Sequence, residues 1–358
     1  MSVVDLTRKL VSVPSHEDET AAGDVIERWL QTETDAEVRR DDVGNVIASR
    51  GSDAASLALV GHHDVVAPGK GQVTDDGEYV ISEGDGRLYG RGTADMKGAV
   101  AAAMLAFRDV NPAGELVFAS FVGEEVGGVG ARHAIEDGFG PDYAIVGEGS
   151  TGYSAPGVTD VAIAHKGRRG STITAYGQAS HASEPDAGMN AIYRATEAVS
   201  TVRDLERPVL EVAGTRLEGS VVVTEIDGGT AMNVVPDRCR ITVDERTVPG
   251  KRTSLERVET IEGVEWSVDQ DLPPMRCDDD AFAETVLEAA DVAQSGSPQL
   301  VTKPHATDAG WLADAGTECV VCGAAEPGEA HTATESVSLE VIERCYEIYR
   351  RVAETWPQ

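Results

Sequence analysis

Residues 56–64 read SLALVGHHD, an apolar run that stops on two histidines and an aspartate. Its short length and continuous apolar character predict a buried β-strand with the polar cluster at its carboxyl end. The same layout recurs downstream: ELVFASFV (115–122) runs into GEEVGG, and DYAIV (142–146) runs into GEGS. Between the first two of these strands, KGAVAAAMLAFRDV (97–110) has the alanine-rich composition of a largely buried helix. This strand–helix–strand alternation predicts an α/β core with a mainly parallel sheet. In such sheets chemistry collects at the carboxyl ends of the strands, and HHD, GEE and GEG all fall there.

Outward from this core, VVDLTRKLVSV (3–13) has helical spacing, and a second helix is expected from Glu17 to Gln31 with Ser15 as its cap. NVIAS (45–49) reads as a further strand. From about residue 168 the pattern changes. STITAYG, GSVVVTEIDGG, CRITVDERTV and VEWSVD alternate with period two, as half-buried antiparallel strands do, while NAIYRATEAVSTVRDL and SLERVETI read as helices. The α/β pattern resumes with DDAFAETVLEAADVA, ECVVCG and the closing LEVIERCYEIYRRVAET. The expected organisation is a catalytic domain of residues 1–167 and 276–358, interrupted by a smaller α+β insert over 168–275.

Composition narrows the partners. The 358 residues carry 62 acidic and 30 basic side chains, a formal net charge of −32, and only six of the basic residues are Lys. Nucleic acid and anionic membranes would be repelled. The acids are scattered, so they describe an acidic surface of the kind a high-salt cytoplasm requires, where a short Debye length screens self-repulsion. No run approaches a membrane span, and the N-terminal stretch lacks the layout of a secretory signal, so a cytoplasmic protein is expected. Five cysteines, an odd number, do not make a disulfide framework. Cys319 and Cys322 form a C-x-x-C, but within an apolar strand-like run, which favours buried thiols over a metal or redox pair.

The candidate site residues are His62, Asp64, Asp95, Glu124, Glu125, Glu148 and His331. His, Asp and Glu without Cys suit zinc, cobalt or manganese in a catalytic role with an open coordination position. Two divalent ions need a shared carboxylate, and Asp95, in the glycine-bounded turn RGTADMKG (91–98), can be approached from both sides. Asp64, two residues past His62, points the same way along a strand and can orient that imidazole. The adjacent Glu124 and Glu125 offer one ligand and one free base. Taken singly, each piece is weak, since a histidine at a strand end is ordinarily structural; the joint occurrence in order at strand ends is not.

Five motifs together, GHHDVV, GRGTADMKG, FVGEEVGG, VGEGS and GEAHTATE, resemble those of the acetylornithine deacetylase / succinyl-diaminopimelate desuccinylase family. That family belongs to the dinuclear-zinc group that also contains aminoacylases, a carboxypeptidase and di- and tripeptidases. The resemblance covers nearly the whole chain. It implies that Asp95 bridges two metal ions, with His62 and Glu148 completing one site and Glu125 and His331 the other. Glu124 would be the general base and Asp64 the orienter of His62. The insert would be a lid and dimerisation domain, making the protein a homodimer. Within it, His181 would stabilise the oxyanion, and Asn233 and Arg246 would hold substrate.

Departures from the family pattern are Gly149 where proline is frequent, Thr334 in place of asparagine before Glu335, and KPHATDAGW (303–311), which keeps Thr307 and Asp308 without the usual glycine pair. The resemblance implies a small N-acyl amino acid as substrate, in an arginine- or lysine-forming pathway. A dipeptidase or carboxypeptidase is the alternative within the family. Lys166, Arg168 and Arg169 of HKGRR are either cations for a substrate carboxylate or part of a hinge. A non-catalytic binding protein on the same fold is the alternative from another class; it would be expected to lack a ligand or the base, and none is missing.

Overall fold

A computed structural model of the chain describes residues 1–51, 55–112 and 114–356. The chain divides into two compact units: the first takes Met1–Ala164, Met275–Lys303 and the residues from Thr307 onward, the second His165–Pro274 with Pro304–Ala306.

The first unit is built on a nine-stranded sheet. Four neighbouring strands at its centre, Glu115–Phe121, Ser56–His62, Tyr143–Val146 and Glu318–Val321, run parallel. Antiparallel strands flank them: Val46–Gly51 and Glu37–Arg40 on one side, Val161–His165 on the other. Every residue of Ser56–His62 is buried, which accounts for its continuous apolar reading. In register, His62 lies opposite Phe121 and Val60 opposite Val146. The three acid- and histidine-bearing turns therefore leave the sheet at one edge.

The helix Gly98–Asp109 covers this sheet and buries every residue from Gly98 to Phe107. Small side chains let it approach closely. A Cβ on Gly61 would stand 2.8 Å from Val100 Cγ2 and 2.9 Å from Met96 Cε. Overpacking of this kind costs about 1–3 kcal/mol, and here it would fall one residue from His62. The first helix, Val3–Val11, is closed by a capping box between Ser2 and Asp5. The second differs from expectation. It spans Thr20–Glu33, and Ser15 does not cap it. The buried Ser15 hydroxyl donates instead to the His63 carbonyl at 2.6 Å, so the strand end claims the side chain before the helix can.

The second unit holds a four-stranded antiparallel sheet in the order Ser220–Gly228, Arg238–Thr247, Gly167–Tyr176, Val264–Leu272. The helix Ala191–Arg203 packs Ala191, Ala195, Ala198 and Val202 against Ile173, Ala175, Cys239 and Ile241. SLERVETI forms a 3-10 segment, Leu255–Thr260, and not an α-helix. Two short ladders are present that the alternation does not announce: Ser180–His181 with Val234–Val235, and Val209–Val212 with Thr215–Glu218. All five cysteines are free and buried. Burial pushes the thiols of Cys319 and Cys322 well above the ordinary range.

Candidate metal centre

His62 closes its strand with a side chain that is almost fully buried. Nδ1 meets the Asp64 carbonyl at 3.0 Å, and Nε2 faces Asp95 Oδ1 at 3.1 Å and Glu148 Oε1 at 3.4 Å. The second oxygen of Asp95 turns the other way, to His331 Nε2 at 3.0 Å. His331 Nε2 also lies 2.9 Å from Glu125 Oε1. One carboxylate thus stands between two imidazoles, with Glu148 on the His62 side and Glu125 on the His331 side.

The surrounding main chain is held by side chains. Both oxygens of Asp64 accept backbone N–H groups, Oδ1 from Glu124 at 3.1 Å and Oδ2 from Glu125 at 3.0 Å. Glu335 Oε1 accepts from Ala94 and Asp95, and its other oxygen pairs with the buried Arg91. The Asp95–Met96 peptide is cis. Lys303 Nζ donates to Glu148 Oε2 at 3.1 Å.

Electrostatics follow from this crowding. Burial pushes the Glu124 carboxyl well above the ordinary carboxylate range; His62 pulls it down, while Glu148, Asp308 and Asp95 push it further up. Burial would also raise Asp95, but hydrogen bonds with His331 and His62 outweigh it and hold the group low. Hydrogen bonds donated to Asp95 and Glu125 lift His331 to about 10. Asp308, buried with neither oxygen partnered among the described residues, is driven up to about 7.

Six carboxyl groups, Asp64, Asp95, Glu124, Glu125, Glu148 and Asp308, are thus gathered around His62, His331 and Lys303, with Lys97 acting on Asp64, and the raised Glu124 and Asp308 mark how unfavourable it is to ionise all six without a further cation. Buried charge of one sign requires a compensating partner. Ligand atoms of His62, Asp95 and Glu125, and of His62, Glu124 and Glu148, lie within 4.8 Å of one another. Hard oxygen and imidazole donors in these two sets fit divalent cations such as zinc, cobalt or manganese.

Residues 58–355 match Peptidase family M20/M25/M40. The chain belongs to this family. It is accordingly a metal-dependent hydrolase of amide bonds. Among curated relatives, acetylornithine deacetylase of Myxococcus xanthus is 32% identical over 335 residues, covering 88% of this chain and 84% of the relative. Acetylornithine deacetylase of Proteus mirabilis is 31% identical over 275 residues, covering 69% and 67%. Among solved structures, aminopeptidase PepT from Bacillus cereus superposes with a TM-score of 0.81 at 22% identity over 98% of this chain and 97% of that one. A dinuclear metal-binding M20 peptidase from Bacillus subtilis gives 0.71 at 17% identity over 98% and 96%. These two likenesses concern the fold.

The first unit of this M20 chain brings together His62, Asp64, Asp95, Glu124, Glu125, Glu148 and His331. The other three expected site residues, His181, Asn233 and Arg246, belong to the second unit. His181 and Asn233 are neighbours there: His181 pairs with Val234, and Asn233 O accepts the Ala182 N–H at 2.9 Å. His181 Nδ1 accepts from the Ser183 N–H at 3.2 Å, which leaves Nε2 as the protonated nitrogen of the neutral ring. Arg246 is held by Asp244 at 2.8 Å, an acid it shares with Arg168. Arg169 is not available to a substrate: it is buried, bonds Glu245 at 2.6 Å and lies over the Trp266 ring.

Three features of the centre escape the sequence reading. Glu335 and Arg91 buttress the Asp95 turn from 244 positions apart in the chain. Lys303 reaches Glu148 from a strand whose other residues are only half-buried; its one sequence signal is that lysine is so rare in this chain. Asp64 is expected to orient His62, yet its oxygens also anchor the Glu124–Glu125 turn.

Proposed function

We propose that this hydrolase removes the acyl group from an N-acylated α-amino acid. The observation that carries the reading is Asp95, whose two oxygens face different histidines, as a carboxylate shared by two cations must. His62, Asp95 and Glu148 would hold one ion, and Asp95, Glu125 and His331 the other. Zinc is the first choice, with cobalt or manganese as alternatives. When bound, the ions supply Lewis-acid polarisation of the scissile carbonyl and lower the pKa of a water to about 7.

The chain's own groups do the rest. Glu124 takes a proton from the attacking water and returns it to the departing amine nitrogen, a double duty suited to a carboxyl held above its ordinary range. His181, with a donor at Nε2, stabilises the developing oxyanion. Asn233 and Arg246 hold the substrate, Arg246 through its carboxylate. In this reading the insert of residues 168–275 is a lid and dimerisation domain, the outer domain spans 1–167 and 276–358, and the protein is a homodimer of a salt-rich cytoplasm. The two acetylornithine deacetylase relatives support N-acetylornithine as the first substrate to try.

The test is amine release from N-acetylornithine, N-succinyl-diaminopimelate and a dipeptide panel by protein loaded with zinc or cobalt in molar KCl. A preference for an N-acyl amino acid is expected, and a preference for dipeptides would overturn the deacylase reading. Glu124→Gln is expected to lower kcat by about 10²–10⁴-fold with both metals retained; near-normal turnover removes Glu124 from its role.

A further inference from the structure

We propose that Lys303 is a positioning residue that keeps Glu148 a one-oxygen ligand and makes the two metal positions electrostatically unequal. The inference rests on the reading of Glu148 as a ligand given above. The two oxygens of Glu148 have different neighbours. Oε1 faces His62 Nε2 at 3.4 Å, on the side of Asp95 Oδ1, whereas Oε2 receives Lys303 Nζ at 3.1 Å. An oxygen already accepting a charge-assisted hydrogen bond is a poor second donor to a metal ion. Lys303 therefore reserves Oε1 for coordination and leaves a position open for water or substrate on the ion that Glu148 would hold.

The environment of Lys303 argues against an incidental surface pair. Both side chains are nearly buried, at 7% and 12% exposure. Lys303 is the single buried residue of the strand Leu300–Lys303. Among the described residues it is the one lysine or arginine that forms an ion pair with any of Asp95, Glu124, Glu125 or Glu148. The chain contains six lysines against 62 acids, so a lysine inside the fold is not there for solubility.

The consequence is an asymmetry. The two positions would share Asp95 and each would have one histidine and one glutamate, but among the described residues only the Glu148 side carries a fixed ammonium. A cation held there would be bound less tightly and would withdraw electrons from a carbonyl more strongly, and the Glu125 side would fill first.

Calorimetric titration of the metal-free protein with Co²⁺ and Zn²⁺, with the visible spectrum of the cobalt form, tests this. The unsubstituted protein should take two ions of unequal affinity. Lys303→Met should tighten the weaker ion at least ten-fold, lower the cobalt absorptivity as Glu148 adds its second oxygen, and reduce kcat at least ten-fold with KM little changed. Lys303→Arg should restore the original spectrum and affinities. Unchanged affinities and spectrum in Lys303→Met overturn the proposal. Should that variant fail to fold, Lys303→Arg decides: a cobalt spectrum unlike the original overturns the proposal too. Glu148→Ala separates the two layers of inference. Loss of one ion from two supports the ligand assignment; retention of both refutes that assignment irrespective of Lys303.

Discussion

Glu335 accepts the main-chain N–H of Asp95 at 3.2 Å, through the same oxygen that takes the Ala94 N–H at 3.0 Å. Its other oxygen pairs with Arg91, and the two side chains are 0% and 4% exposed. Breaking a buried pair by removing one partner costs about 3–5 kcal/mol, because the survivor is left charged and unpaired. Glu335→Ala is therefore expected to lower unfolding stability by about that amount and to release metal, since two N–H groups of the Asp95 turn lose their acceptor. Urea unfolding together with metal content reads both effects. A stable Glu335→Ala protein with full metal content would contradict the buttress.

Asp64→Asn swaps an acceptor oxygen for an amide NH₂. One of the N–H groups of Glu124 and Glu125 then faces a donor. Metal affinity should fall about 10–100-fold, the range for partners that orient ligands. Equilibrium dialysis measures it, and an unchanged affinity would show that the turn holds itself.

In the metal-free protein, hydrogen bonds that His331 donates to Asp95 and Glu125 lift it to about 10. A cation must displace that proton from Nε2, so apparent affinity should rise with pH, by about ten-fold per unit for one proton, and level off near the raised value. The stability of the metal-free form should move the opposite way. A histidine whose folded pKa exceeds its unfolded value contributes below about pH 6.5 and loses that contribution as pH rises toward 10. His331 is half-exposed, so this second effect is small. Calorimetry in buffers of different ionisation enthalpy counts the released protons; none released at pH 7 would exclude a protonated His331.

With 62 acids against 30 basic residues, self-repulsion should dominate at low salt. The Debye length falls from about 10 Å at 0.1 M to about 3 Å at 1 M. Tm should climb through this range of KCl. A flat or falling Tm would contradict the salt-adapted reading.

The parallel heart of the sheet was legible because its strands are buried on both faces and so read as unbroken apolar runs. Of the candidate site residues, His62, Asp64, Glu124, Glu125 and Glu148 were legible because each falls where such a run stops, whereas Asp95 stood out by its glycine-bounded turn and His331 by the motif GEAHTATE. Other features rest on contacts between residues distant in the chain. Ser15 has the look of a helix cap, but a buried carbonyl 48 positions away takes its hydroxyl. Arg169 was a candidate for substrate binding until the adjacent strand placed Glu245 against it. Glu335 lies in the motif GEAHTATE and Lys303 opens KPHATDAGW, but neither motif announces its role; what distinguishes them is the turn or carboxylate that the fold sets beside them. SLERVETI shows the limit of periodicity from the other side, since helical spacing over so few residues does not separate an α-helix from a 3-10 turn.

The anchoring of Glu124 and Glu125 by the two oxygens of Asp64 makes their errors of placement correlated. Thermal displacement of that turn carries both residues along together, so their separation fluctuates less than the position of either. If one of the pair moves protons and the other fixes a cation, the distance between proton acceptor and electrophile is conserved even as the whole edge of the sheet breathes. Tolerance of this kind protects a reaction geometry without demanding a rigid protein.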